Sequence, residues 1–359
     1  MNRPRIAVIA PSLDIVGGQG VQAAALVEGL RRDGWPTSFI PINPPFPAGL
    51  RGLRGVPCLR TLVNQSLYLP GLRRLRAADV VHVFSASYWS FLLAPAPAML
   101  IARGLGKRVV LHYHSGEAED HLGRWGRRVH PWLRLAHEIV VPSEYLRDVF
   151  ARHGHRSRVI PNVIDTSSFR FRPRRPLRPR LLSTRNFEPH YRVENTLEAF
   201  AALRRRYPQA TLALAGHGSL EPRLRQRAAS LGEDAVRFCG RVAPAEMPRV
   251  CDAADIFLNS SVVDNQPVSV LEAFASGLPV VSTATGDIGR MVRNGATGRL
   301  VPADDPHAMA EAVAQLLEHP GSALQMAWQA RQEAERHSWE HVRFAWASVY
   351  TPAASAARS

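Results

Sequence analysis

The chain has 359 residues, 46% of them hydrophobic, with 45 Lys+Arg against 30 Asp+Glu and a net charge of +15. The length outgrows a single core, so two domains are expected, and the apolar share is that of an ordinary globular protein. Cys58, Cys239 and Cys251 have neither paired nor metal-ligand spacing, which excludes a disulfide scaffold and reads as buried thiols in a reducing compartment.

The first residues, Met1-Asn2-Arg3-Pro4-Arg5, run straight into a strand at Ile6 to Ala10, with no signal-peptide apolar region. Val21 to Arg32 follows as a helix, with Val21, Ala24, Ala25, Leu26 and Leu30 at helical spacing. Thr37 to Ile42, Val80 to Phe84, Val109 to His112 and Ile139 to Val141 read as further buried strands. This is the βα alternation of a doubly wound sheet. The longest apolar run, Tyr88 to Ala102, is broken by Pro95 and Pro97 and is too short to span a bilayer.

Charge is unevenly placed. Residues 1–180 carry 27 Lys+Arg and 11 Asp+Glu, a balance of +16, while residues 181–359 carry 18 and 19. The N-terminal half therefore suits an anionic partner. Arg124 to Arg134 interleaves arginine with Trp125, Val129 and Trp132, which share one helical face. That composition fits a segment lying on anionic lipid, although both tryptophans could equally pack in a core. Pro131 is expected to kink this helix.

Arg170 to Arg180, with six arginines and three prolines, breaks the alternation and reads as an extended, solvated interdomain linker. The pattern then restarts. Leu181 to Thr184, Thr211 to Ala215, Val236 to Cys239 and Gly298 to Val301 are strands. Glu194 to Tyr207, Leu220 to Leu231, Ala245 to Ala253 and Pro306 to Leu317 are helices. Ser338 to Tyr350 is a final, aromatic-rich helix.

The most informative stretch lies in this second half, Val263-Asp264-Asn265-Gln266-Pro267-Val268-Ser269-Val270-Leu271-Glu272. It follows an apolar run from Asp255 to Ser261. Pro267 suits a first helical position, Gly277 suits the residue after the helix, and Leu278 to Val281 begins the next strand. A helix N-terminus thus opens at the carboxyl end of a strand, where α/β proteins bind anions and nucleotides. A capped surface helix with two solvated acids fits the spacing equally well.

Other motifs are weaker. Gly18-Gln19-Gly20-Val21-Gln22-Ala23 fits the dinucleotide pattern, but it follows its strand too distantly. No acid ends the second strand, Ser38 to Asn43, so a nicotinamide site is rejected. His112, His114, Glu117, Asp120 and His121 resemble metal ligands, yet spacing fixes no complete set, and no metal is expected. Gly216-His217-Gly218 ends a strand before a helix, a place where backbone can approach a nucleotide.

Taken in order, Arg5 to Pro11 with Gly17-Gly18, Val141-Pro142-Ser143-Glu144, Ile160-Pro161-Asn162, Arg185, Ala215-Gly216-His217-Gly218, Phe238-Cys239-Gly240 and the Asp264 to Glu272 stretch resemble the retaining glycosyltransferases of family 4. The resemblance covers nearly the whole chain. It implies the α/β GT-B fold, two Rossmann-like doubly wound parallel-sheet domains facing across a cleft. The expected domains are residues 1–170 on the acceptor side, a linker at 171–180, a donor-binding domain at 181–337, and a terminal helix at 338–359 returning to the first domain.

The resemblance also implies roles. Asp264, His114 and Arg185 would serve the reaction. Gly17, Gly18, Arg185, Arg192, Gly216, Asn265, Gln266, Val268 and Glu272 would hold the donor, with Glu272 on the ribose and Asp264 on the transferred sugar. The family has a lysine five residues after the arginine; here that position falls on Tyr191, and Arg192 is expected to supply the charge. The family often has glycine at position 267 and glutamate at position 264, so Pro267 and Asp264 are departures. Retention by front-face attack, without cofactor or metal, is expected.

The expected substrates are a nucleotide-diphosphate sugar and a polysaccharide, glycolipid or other glycoconjugate acceptor. An anionic membrane surface is a further candidate partner through the basic N-terminal half; nucleic acid is not expected. The protein is expected in the cytoplasm, soluble or peripheral on the inner face of the membrane. A non-catalytic sugar-nucleotide or glycan binder and a sugar-nucleotide epimerase are the alternatives.

Overall fold

Short apolar runs set the frame of the fold. All five residues of Ile6–Ala10 (β1) are buried, as happens when both faces of a strand are covered. The computed structural model describes residues 3–12, 17–232 and 234–351. It divides into two compact units: residues up to Pro161 together with those from Glu340, and Asn162–Trp339. Residues 13–16 of the first loop, and 352–359 of the expected terminal segment, lie outside the described residues.

In the first unit β1 is followed by α1 (Gly18–Arg32), β2 (Thr37–Pro41), α2 (Pro57–Gly71), β3 (Val80–Ser85), α3 (Tyr88–Leu93), α4 (Pro95–Gly104), β4 (Arg108–Tyr113), α5 (Ala118–Leu133), β5 (Glu138–Val141), α6 (Glu144–Arg152) and β6 (Arg158–Val159). The strands make one sheet of order β2-β1-β3-β4-β5-β6, parallel throughout. One face packs Ile9, Val83 and Leu111 against Tyr68, Met99, Leu122 and Phe150 of the helices. Pro95 begins α4 rather than interrupting a longer helix, as its missing N–H favours.

Helix α5 corrects one expectation. Val129 is fully buried, and Trp125 and Trp132 pack against the same core. Trp125 also meets Trp89 edge-on, with ring centroids 5.3 Å apart. The apolar face that suited a lipid surface is therefore consumed by the first unit's own packing. Pro131 lies two residues before the end of α5, where few intrahelical bonds remain for it to break.

The second unit runs β7 (Arg180–Ser183), α7 (Val193–Arg206), β8 (Thr211–Ala215), α8 (Glu221–Ala229), β9 (Val236–Gly240), α9 (Met247–Ala253), β10 (Ile256–Asn259), α10 (Val268–Ala275), β11 (Val280–Thr283), α11 (Ile288–Met291), β12 (Arg299–Val301), α12 (Pro306–Glu318) and α13 (Pro320–Glu335). Its sheet, order β12-β11-β10-β7-β8-β9, is again parallel. Leu181, Leu214 and Leu258 face Leu197, Leu203, Leu224 and Val313 on one side. Leu182, Phe257 and Val280 face Leu271, Phe274, Ala330 and Ala334 on the other.

The last helix, α14 (Trp339–Tyr350), clusters from Glu340 onward with the first unit. The Tyr350 hydroxyl lies 2.9 Å from Nδ1 of His82 on β3, and Trp346 packs beside that ring at 5.2 Å.

The arginine-proline stretch is not a solvated linker. Residues 171–180 belong to the second unit, and Asp255, fully buried, gathers three of their arginines. Arg172 Nη2 reaches Asp255 Oδ1 at 3.0 Å and Arg180 Nε reaches Oδ2 at 2.6 Å. Arg174, 3% exposed, lies 4.0 Å from the same carboxylate and donates to the carbonyls of Cys251 and Ala254. A buried carboxylate demands cations, and composition alone does not reveal that demand.

Both sheet orders place a topological switch point, where open α/β sheets bind ligands beyond the carboxyl ends of their strands. In the second unit it lies between β7 and β10, whose connections leave in opposite directions. In the first it lies between β1 and β3, where Gln19 at the start of α1 donates to the Ser85 carbonyl at 2.8 Å.

Candidate functional site

Arg185 leaves β7 and Asp264 leaves the loop after β10, so the two residues meet at the second unit's switch point. The Arg185 guanidinium pairs through Nη2 with Asp264 Oδ2 and donates through Nη1 to the Ser269 hydroxyl at 2.9 Å. It also stacks over the Tyr191 ring, 4.2 Å from its centroid. Arg185 is 8% exposed, and its Nε has no hydrogen-bond partner. Ring and ion pair thus fix the plane of the cation.

The loops beneath this group are locked backbone to backbone. Phe187 N–H donates to the His217 carbonyl at 2.9 Å. A Cβ on Gly216 would collide with the Arg185 carbonyl oxygen, and one on Gly218 with that of Phe187. The close approach that Gly216 permits is therefore to the backbone of Arg185. On the far side Gly286, at φ +56, lies against the Asp264 carbonyl, where a side chain has no room.

Helix α10 begins at Val268, with Pro267 as its N-cap at φ −69, ψ 121. Pro267 thus sits one residue earlier than expected, and the Val268 and Ser269 amides lie in the first turn, beyond reach of intrahelical carbonyls. Asn265, 4% exposed, donates its N–H to Asp264 Oδ1 at 2.9 Å. Glu272 lies one turn further along α10. Burial pushes its carboxyl up to about 7, against the opposing pull of Arg185. Gly277, at φ +73, ends the helix as expected. A guanidinium, two carboxylates and unspent amides thus converge where an anionic, hydroxyl-rich ligand could be held.

Residues 178–319 match the family profile described as Glycosyl transferases group 1, and residues 16–168 match Glycosyltransferase Family 4. The glycogen synthase of Mycobacterium tuberculosis is 31% identical over 300 residues, spanning 79% of this chain and 71% of that protein. The chain belongs to the family 4, group 1 glycosyltransferases. The phosphatidyl-myo-inositol mannosyltransferase of Mycolicibacterium smegmatis is 25% identical, covering 94% of this chain and 91% of that one. The crystal structure of an Anabaena protein, HepE, in complex with UDP and glucose shares the GT-B fold. It superimposes with a TM-score of 0.73 at 19% identity, over 96% of this chain and 98% of that one.

The remaining predicted residues of the glycosyltransferase divide. Arg192 adopts a left-handed backbone, φ 47, ψ 43, and its guanidinium pairs with Asp304 at 3.1 Å. The structure does not bring it to the Arg185 group; Tyr191 occupies that place with an aromatic face. Gln266 turns to Asn162, accepting its N–H on Oε1 at 2.7 Å, while the Asn162 side chain donates to the Gln266 carbonyl at 2.7 Å.

In the first unit Gly17 and Gly18 open α1, Gly17 as its N-cap, with open space where Cβ atoms would stand. His114 follows β4 and stacks on Phe84 at 5.1 Å. Burial holds its pKa down to about 3, so the ring is neutral, and its Nε2 is buried without a partner. His121 turns to the Tyr113 hydroxyl at 2.8 Å and Asp120 to that of Tyr88 at 2.5 Å, so the metal-like series disperses into separate contacts.

Sequence reasoning missed Ser269 and Tyr191 as partners of Arg185. A serine in a helix's first turn, and an aromatic at the family's lysine position, were the available signals. It also missed Gly286, though a Thr-Gly-Asp run after a strand marks a tight turn.

The raised Glu272 pKa carries a sign. Its proton is held more tightly in the folded chain than in an unfolded one, where the group titrates near 4.5. Its contribution to stability is therefore full at low pH and lost as pH rises from about 4.5 to about 7. Urea unfolding between about pH 5 and about pH 8 should show the native chain losing roughly 2–3 kcal/mol relative to Glu272→Gln. Parallel pH profiles would remove the assigned shift.

Proposed function

We propose that the chain is a retaining glycosyltransferase that moves a sugar from a nucleotide-diphosphate donor to a polysaccharide, glycolipid or other glycoconjugate acceptor, working in the cytoplasm at the membrane's inner face. The observation that carries the reading is the Arg185–Asp264 pair at a strand-end switch point, capped by the first turn of α10. Departure of a nucleoside diphosphate loads negative charge onto its terminal phosphate. A preorganised guanidinium and helix-start amides stabilise charge as it develops. Arg185, with the Val268 and Ser269 amides, is assigned to the diphosphate. Asp264 and Asn265 are assigned to the transferred sugar, Glu272 to the ribose, and Gly216 to keeping Arg185 in place.

In the first unit, neutral His114 is assigned to a hydrogen bond with the sugar, and Gly17 and Gly18 to the diphosphate contact that the family resemblance implies. Charge stabilisation comes from the protein, so no metal or cofactor is assigned to the chemistry. The HepE structure holds UDP, which makes UDP-sugars the first donors to try.

The test is a thermal-shift screen of nucleoside-diphosphate sugars, followed by transfer to glycan and glycolipid acceptors with the product anomer read by NMR. A matched donor should raise the melting temperature by mass action, and Glu272→Ala should remove the shift. Inverted product would overturn retention. Free nucleotide released with an epimerised sugar and no acceptor would replace transfer by epimerisation.

A further inference from the structure

His82 on β3, and His112 on β4 with His114 just beyond it, stand in file on one face of the first sheet. They alternate with Val83 and Leu111, which face the other way into the helical core. Helix α14 covers the histidine face. Trp346 packs on His82 and His112, with ring centroids 5.2 and 4.9 Å away. Tyr350, at the end of α14, places its hydroxyl 2.9 Å from His82 Nδ1. His82 Nε2 lies 3.2 Å from His112 Nδ1, and the His112 ring centroid is 4.0 Å from that of His114.

Burial keeps the Tyr350 hydroxyl protonated and holds all three imidazoles neutral, so each ring carries one proton. Among the described residues His82 Nδ1 is the sole hydrogen-bond partner of the Tyr350 hydroxyl. The hydroxyl therefore donates, because a buried O–H without an acceptor bears its full desolvation cost. His82 then carries its proton on Nε2, and that N–H donates to His112 Nδ1. The proton of His112 is left on Nε2, an atom buried without a hydrogen-bond partner. Reversing the file would orphan two groups, the phenol proton and the His112 Nε2 lone pair, in place of one.

His114 lies against His112, and its own Nε2 is also buried without a partner. A second N–H there would leave two buried donors and no acceptor, whereas a bare Nε2 gives the His112 proton a lone pair nearby. The proton of His114 then stands on Nδ1, the ring nitrogen that the core does not enclose. We propose that Tyr350, His82 and His112 are positioning residues, a file of hydrogen bonds that fixes the His114 proton on Nδ1 and so turns this ring toward the donor sugar as an N–H donor. The consequence for transfer rests on the assignment of His114 to the sugar; the proton position does not, because it is read without substrate.

The test is long-range proton–nitrogen NMR of the full chain with ring-labelled histidine, His114 being assigned by the loss of its signals in His114→Ala. The native chain should show a neutral His114 protonated on Nδ1. Tyr350→Phe keeps the ring that stacks on Trp346 and removes only the hydroxyl, so the chain should stay folded while the His114 signals move to those of mixed tautomers. With the UDP-sugar that gives the largest thermal shift, this variant should lose about tenfold in kcat/KM, the weight of one neutral hydrogen bond. That loss should vanish in the His114→Ala background. A native His114 protonated on Nε2, or His114 signals unmoved by Tyr350→Phe, would overturn the file. So would a rate loss that persists in full without His114, which would make Tyr350 a packing residue only. A changed tautomer with an unchanged rate would uphold the file and remove His114 from the sugar instead.

Discussion

Asp264→Ala should tighten binding of the free nucleoside diphosphate while lowering the transfer rate, by a factor of about 10²–10³ in kcat. The carboxylate pairs with Arg185 and so competes for the cation with any phosphate that approaches. Its removal leaves Arg185 buried, with a stacking partner and one serine but no counter-charge. A buried cation without a partner favours any anion that can reach it. Arg185→Lys should instead weaken diphosphate binding and slow transfer together. Lysine has no planar fork to lie on the Tyr191 ring while bonding Ser269. Titration calorimetry with the diphosphate product, beside initial rates for both variants, separates the outcomes. Equal losses of affinity in the two variants would mean that Asp264 does not regulate the charge on Arg185.

That prediction shows where the sequence was sufficient. Arg185 stands 79 positions before Asp264, and Glu272 follows Asp264 in the same stretch, yet each follows a buried strand or a helix start. Apolar periodicity gave those elements, and the sheet order brought their ends together. What stayed illegible were partnerships between side chains. Arg172, Arg174 and Arg180 looked solvated because their counter-charge, Asp255, lies some eighty residues further on. Trp125 and Trp132 looked lipid-facing because periodicity gives a face but not what covers it. Arg192 had the charge the family pattern asked for, but Asp304, more than a hundred positions away, draws it aside.

Asp255→Ala should cost about 3–5 kcal/mol, because it leaves a buried cluster of guanidinium groups without its anion. Arg174 shows the strain already: burial lowers its pKa to about 10 even with Asp255 beside it. Asp255→Asn should cost nearly as much, since the shape survives and the charge does not. Arg180→Ala should cost only about 1 kcal/mol. Its side chain is 38% exposed, and Arg172 remains on the same carboxylate. Urea unfolding of the three variants ranks these effects, and a mild Asp255→Asn would show that packing rather than charge holds the segment. The consequence reaches the site through β10. Asp255 donates its N–H to the Arg180 carbonyl at 2.8 Å, just before Ile256 and Phe257 pair with Leu181 and Leu182 of β7. Those two strands carry Arg185 and Asp264 beyond their far ends. Loosening their start should broaden the positions of both residues, so Asp255→Asn should also weaken donor binding at temperatures where the chain is still folded.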